Sequence, residues 1–120
     1  MAKILIVDDA EFLRMRISKM LRADGHDVME AENGARAVEK YQAENPDIVL
    51  MDITMPEMDG LTALKEIRSI NGNAAVVMLT ALGQESVVLD AIKSGAKDFI
   101  VKPFERERVL NAIQKLLPKE

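Results

Sequence analysis

Apolar residues in this chain fall into short unbroken runs, separated by stretches in which they recur every three or four positions. The unbroken runs are Lys3-Ile4-Leu5-Ile6-Val7, Asp47-Ile48-Val49-Leu50-Met51, Ala75-Val76-Val77-Met78-Leu79 and Phe99-Ile100-Val101. Their length and their β-branched content suit strands buried on both faces. A weaker run, Val28-Met29-Glu30-Ala31-Glu32, alternates toward polar residues as an edge strand does. The intervening stretches, Glu11 to Ala23, Ala35 to Glu44, Leu61 to Ile70, Gln84 to Ser94 and Glu105 to Leu117, carry the spacing of amphipathic helices of about three turns. Four of them end in helix-stop signals, at Gly25, Asn45-Pro46, Asn71-Gly72 and Gly95.

Strand and helix therefore alternate five times with short links. Parallel neighbours need a crossover of this length, so the pattern predicts an α/β domain with a parallel sheet covered by helices on both sides. With 120 residues, 48% of them apolar, and no repeat or linker, residues 1–120 read as one domain with no room for an attached effector. Sixteen Lys and Arg against twenty Asp and Glu, with Phe12, Tyr41, Phe99 and Phe104 as the aromatic side chains, argue against nucleic-acid binding. Cysteine is absent, which removes disulfides, thiolate metal sites and Cys nucleophiles. The apolar run before Asp8 is too short for a signal peptide or a membrane span, so a cytoplasmic, monomeric protein without membrane contact is expected.

Functional groups of an open parallel sheet collect beyond the carboxyl ends of its strands. Here the residues after the apolar runs are Asp8 and Asp9, Asp52, Thr80 and Lys102. Three carboxylates aimed at one sheet edge repel one another unless one is protonated or a cation lies between them. Oxygen ligands without His or Cys favour Mg²⁺, which shares its shell with water and phosphate oxygens. A cation and Lys102 would neutralise a phosphoryl group, leaving one carboxylate to act as nucleophile.

Taken together, Asp8-Asp9, Asp52 followed by Met55-Pro56 and Gly60, Thr80-Ala81 and Lys102-Pro103-Phe104 resemble the receiver domain of two-component response regulators along the whole chain. Val7-Asp8-Asp9-Ala10-Glu11-Phe12-Leu13-Arg14 and Lys97-Asp98-Phe99-Ile100-Val101-Lys102 look most like the free-standing chemotaxis regulators of that family. The resemblance implies a flavodoxin-like, doubly wound five-stranded sheet of order 2-1-3-4-5 with five helices, an order the residues alone do not give. It makes Asp52 the phosphoacceptor for a phosphohistidine on a kinase. Asp9, Asp52 and the Thr54 carbonyl would hold Mg²⁺ directly, with Asp8 acting through a metal-bound water. Lys102 and Thr80 would each contact a phosphoryl oxygen, Ala81 would leave room for the group, and the Lys102-Pro103 bond would be cis. Phe99 stands where the family has an aromatic side chain that changes rotamer, and Thr54 and Leu82 flank the path of the hydrolytic water. The bulky, apolar Leu82 implies a long-lived acyl phosphate.

The output expected is the flagellar motor switch, with a phosphorelay to a second histidine protein as the alternative. A haloacid-dehalogenase type phosphatase would need an Asp where Thr54 stands, and a flavodoxin-like carrier would need a hydroxyl-rich phosphate loop where Asp8-Asp9-Ala10-Glu11 would repel phosphate. In the fourth helix Val87, Val88, Leu89, Ala91 and Ile92 spread over roughly 200° at 100° per residue, wider than one sheet-facing stripe. Val88, Ile92 and Phe99 are therefore assigned to an output surface, with Phe12, Arg14 and Arg16 of the first helix as the next candidate. Met51, Met78 and Met20 read as core filling, Met55 and Met58 as partly exposed near the site, His26 as a solvated turn residue, and Glu105 to Arg108 as the solvated start of the last helix.

Overall fold

Successive side chains of a strand point to opposite faces of its sheet, so a strand covered by helices on both sides has no water-facing position. The unbroken apolar runs occupy such places in the computed structural model of the chain, which describes residues 2–53, 55, 58–81 and 84–117. Strands β1 (Lys3–Val7), β2 (Asp27–Ala31), β3 (Ile48–Asp52), β4 (Val76–Thr80) and β5 (Asp98–Val101) alternate with helices α1 (Glu11–Ala23), α2 (Gly34–Glu44), α3 (Gly60–Ile70), α4 (Glu85–Lys93) and α5 (Arg106–Leu116). All neighbouring strands are parallel, in the order β2-β1-β3-β4-β5. The flavodoxin-like architecture and the edge position of β2 are as expected.

Parity along the strands decides which helices each residue meets. Leu5, Val7, Val49, Met51, Val76 and Met78 pack against Ala37 and Tyr41 of α2, Ala63, Leu64 and Ile67 of α3, and Val88 and Ala91 of α4. Ile4, Ile6, Ile48, Leu50, Val77, Leu79 and Ile100 pack against Ile17 and Leu21 of α1 and Val109, Ala112 and Ile113 of α5. Strand ends shift by one residue from the expected runs. Asp52 pairs with Leu79 and Thr80 with Val101, so both are the last paired residues of their strands and not the first of their loops. A polar side chain does not interrupt a backbone ladder.

Three of the four helix stops take the left-handed backbone that favours Gly and Asn, at Gly25, Gly95 and Asn45. Asn71 ends α3 in an extended conformation instead. Its Nδ2 donates to the Tyr41 hydroxyl at 3.1 Å and its Oδ1 accepts the Asn73 N–H at 2.9 Å, tying α3 to α2.

Two expectations are corrected. The His26 side chain is only 9% exposed. Its Nδ1 accepts the Ala2 N–H at 3.1 Å and its Nε2 lies 3.4 Å from Asp24 Oδ2, so the ring serves as acceptor for the backbone entering β1. Met55 is buried in the core shared by α2, α3 and α4, and Met58 is half-buried against the same core. Met51 and Met78 lie in the core and Met20 packs on it, as expected.

Gly60 packs directly against the end of β3. Its N–H donates to the Ile53 carbonyl at 2.7 Å, and a Cβ there would run into the Asp52 carbonyl oxygen and Ile53 Cα. Both obstacles are backbone, so neither can swing aside. Gly60→Ala is expected to lower stability by about 1–3 kcal/mol in urea denaturation, the usual cost of overpacking. Gly72→Ala, whose Cβ would meet nothing within 4 Å, serves as control; equal midpoints for the two variants would refute the constraint.

Candidate functional site

The pairing of Val7 with Met51 brings Asp8 and Asp52 to neighbouring places at the carboxyl ends of β1 and β3, on the side of α1 and α5. Asp8 is fully buried. Its Oδ1 accepts the Ala10 N–H at 2.9 Å, and its Oδ2 lies 3.3 Å from Lys102 Nζ. The Asp8 carbonyl accepts from Arg14 Nη1 at 2.6 Å, and Arg14 Nε donates to Glu30 at 3.0 Å. Lys102 reaches the site because its N–H donates to the Thr80 carbonyl at 2.7 Å, extending the β4–β5 ladder one step before the cis Lys102–Pro103 bond. From there Nζ also lies 3.4 Å from Asp52 Oδ2.

Asp8, Asp9 and Asp52 each offer a carboxylate oxygen, and these atoms lie within 4.8 Å of one another. One ammonium against three carboxylates leaves the cluster strongly negative, and burial of Asp8 and most of Asp52 makes that charge costly. Asp9 is exposed, so the cluster opens to solvent on one side. A set of hard oxygen donors with an open side suits a metal ion that keeps water or phosphate oxygens in its shell.

Thr80 has the opposite parity and is 1% exposed. Its hydroxyl lies 3.0 Å from Gln84 Oε1 and 3.2 Å from the Ala81 carbonyl. Gln84 Oε1 also accepts the Ala81 N–H at 2.8 Å. The sequence reading passed over Gln84; the available signal was a polar side chain at the mouth of α4, four residues after Thr80. Asp8, Asp9, Asp52, Thr80, Ala81 and Lys102 thus gather at one sheet edge, whereas Thr54 and Leu82 lie outside the described residues.

Beside Thr80, a groove of about 300 Å³ runs between α4 and β5, bordered by Gln84, Leu89, Ile92, Phe99 and Val101. Leu89 is 58% and Ile92 45% exposed, as the wide apolar arc of α4 predicts. Val88 is corrected: it turns inward and is 9% exposed, forming part of the core below the groove, and Leu89 takes its place on the surface. Phe99 is partly exposed at the groove edge, and its carbonyl accepts from Arg108 Nη2 at 2.7 Å, so the first turn of α5 is pinned to β5 although it faces water. On α1, Phe12 is 75% exposed while Arg14 is engaged inward, which leaves Phe12 and Arg16 as the outward members of that trio.

Among the described residues no helix is long and apolar enough to cross a membrane. Comparison with known proteins agrees with the geometry. The sequence profile of the response regulator receiver domain matches residues 4–114. The chain is 62% identical to chemotaxis protein CheY of Bacillus subtilis over 96% of its length and 97% of that protein. It is 53% identical to chemotaxis protein CheY of Thermotoga maritima over 95% and 96%. Its structure is similar to a chain in the crystal structure of the CheX–CheY–BeF₃–Mg²⁺ complex from Borrelia burgdorferi, with TM-score 0.90 and 42% identity over 98% of this chain and 90% of that one. A family profile that matches residues 4–114, together with the carboxylate cluster at the sheet edge, makes the assignment plain: the chain belongs to the response regulator receiver domain family.

Proposed function

We propose that this protein is a CheY-type receiver that accepts a phosphoryl group on Asp52 from a phosphohistidine of a kinase and signals in chemotaxis by changing shape. The observation that carries the reading is the approach of the Asp8, Asp9 and Asp52 oxygens within 4.8 Å of one another, with Lys102 Nζ bridging Asp8 and Asp52. The near full-length identity to chemotaxis CheY proteins supports the output.

In this reading an Asp52 carboxylate oxygen forms a bond to phosphorus as the phosphorus–nitrogen bond of phosphohistidine breaks, the imidazole nitrogen keeping the electron pair. Asp8, Asp9 and Asp52, with the Thr54 carbonyl, would hold Mg²⁺; when bound it would neutralise phosphoryl oxygens that three carboxylates would otherwise repel. The Mg²⁺ and BeF₃ of the related Borrelia complex support that choice of ion. Lys102 balances charge on the phosphoryl group, Thr80 donates to one of its oxygens, and the small Ala81 leaves space. The protein acts as a phosphoacceptor on itself and turns over no external substrate. The groove formed by Leu89, Ile92 and Phe99 is the surface offered to the flagellar motor switch.

Asp52→Asn is expected to abolish labelling by acetyl phosphate or kinase while leaving the urea midpoint within about 1 kcal/mol of the parent, because the change is isosteric. Full labelling of this variant at another residue would overturn the assignment. Lys102→Ala should retain part of the labelling and lose phosphorylation-dependent partner binding; normal binding by the labelled variant would refute its coupling role. Leu89→Asp and Ile92→Asp should reduce affinity for the motor-switch partner at least tenfold with labelling rates unchanged, since each places a charge on the apolar groove. Wild-type affinity in both would place the output surface elsewhere.

A further inference from the structure

Gln84 is the last residue before α4, yet its side chain does not cap that helix. It reaches back to the end of β4, where Oε1 lies 2.8 Å from the Ala81 backbone nitrogen and 3.0 Å from Thr80 Oγ1. The Ala81 N–H is a donor only, so the carboxamide atom facing it has to be the oxygen. Thr80 then meets an acceptor and has to donate. A hydroxyl carries one hydrogen, and the oxygens of a phosphoryl group are acceptors that need that same hydrogen. Thr80 is 1% exposed, so its single hydrogen goes to a protein acceptor and not to water, with Gln84 Oε1 at 3.0 Å the nearer and the Ala81 carbonyl at 3.2 Å the farther.

From this geometry we infer that Gln84 is a positioning residue that holds the Thr80 hydroxyl away from Asp52 in the resting protein and competes with the phosphoryl group for it. The inference rests on the reading of Asp52 as phosphoacceptor. The contact has one fixed leg and one movable leg. Ala81 N–H belongs to the backbone and keeps the carboxamide in place, while Thr80 Oγ1 turns about a single bond. When Thr80 swings to a phosphoryl oxygen, Gln84 keeps its bond to Ala81 and loses only the hydroxyl. The start of α4 is then held to β4 by one side-chain bond fewer than in the resting protein. Occupancy at Asp52 is thereby transmitted to the helix that borders the groove through Gln84, which lies at the groove's edge.

The test uses the whole chain, Mg²⁺ and beryllofluoride as the phosphoryl probe, with amide NMR as readout. Gln84→Met keeps the side-chain length and removes the acceptor, and is expected to bind beryllofluoride about fivefold more tightly than the parent, the weight of one ordinary hydrogen bond. In a Thr80→Val background the same substitution should leave affinity unchanged. Gln84→Glu, which restores an acceptor, should return affinity to the parental value or below it. Without beryllofluoride, the Ala81 amide should exchange with solvent faster in Gln84→Met than in the parent. Unchanged or weaker binding by Gln84→Met, an equal gain in the Thr80→Val background, or an Ala81 amide that exchanges at the parental rate would each overturn the proposal. Failure of the parent itself to bind beryllofluoride would instead refute the phosphoacceptor reading, and the competition with it, an outcome distinct from parental binding that Gln84 does not influence.

Discussion

A carboxylate removed from water has to find partners for its oxygens, and Asp8 is the residue on which that requirement falls most heavily. It draws on three parts of the fold at once: the Ala10 amide leading into α1, the Lys102 ammonium beyond β5, and, through its own carbonyl, the Arg14 guanidinium. Lys102 comes from an edge strand that never touches β1, so this contact spans β3 and β4. The ammonium can lie there only because the β4–β5 ladder continues to the Thr80 carbonyl. The charge arrangement and the sheet register are thus two aspects of one constraint.

The same parity rule explains why the site has two sides. Asp8 and Asp52 point toward the face covered by α1 and α5, and Thr80 toward the face of α2, α3 and α4. Negative charge and its cation partners are concentrated on the first side. The hydroxyl that would answer to that charge sits on the second, next to the start of α4. Leu89 and Ile92 of that helix remain exposed, since one helix cannot bury an apolar arc this wide against the partly exposed Phe99 and Val101.

Much of this was legible in the sequence. Unbroken runs such as Ile4 to Val7 and Ile48 to Met51 announced doubly covered strands, and the polar residue after each run marked the sheet edge where Asp8, Asp52, Thr80 and Lys102 meet. What escaped depends on contacts distant in the chain. His26 gave no sign that the Ala2 amide would need its ring as acceptor, and Met55 gave none that it would join the core. Val88 and Leu89 are adjacent valine and leucine; helical phase relative to the sheet, which composition does not fix, sends one inward and the other to water. Gln84 was only faintly marked for a related reason. Its significance lies in the two donors at the end of β4, and a glutamine at a helix start has no distinctive local signature.

The close glycine packing after β3 has a mechanical consequence. A Cβ at Gly60 would run into the Asp52 backbone, and one at Gly34 into the Met58 carbonyl, to which Gly34 donates its N–H at 3.1 Å. The start of α2, the start of α3 and the end of β3 are therefore wedged together through main-chain atoms, which have little freedom to yield. On the other side of Asp52, Thr80 and Gln84 meet through a rotatable hydroxyl and a carboxamide that also accepts the Ala81 N–H. The two flanks of Asp52 therefore differ in what they tolerate: a single added methyl group collides with main chain on the first, while on the second the contact is made by side-chain atoms that can turn.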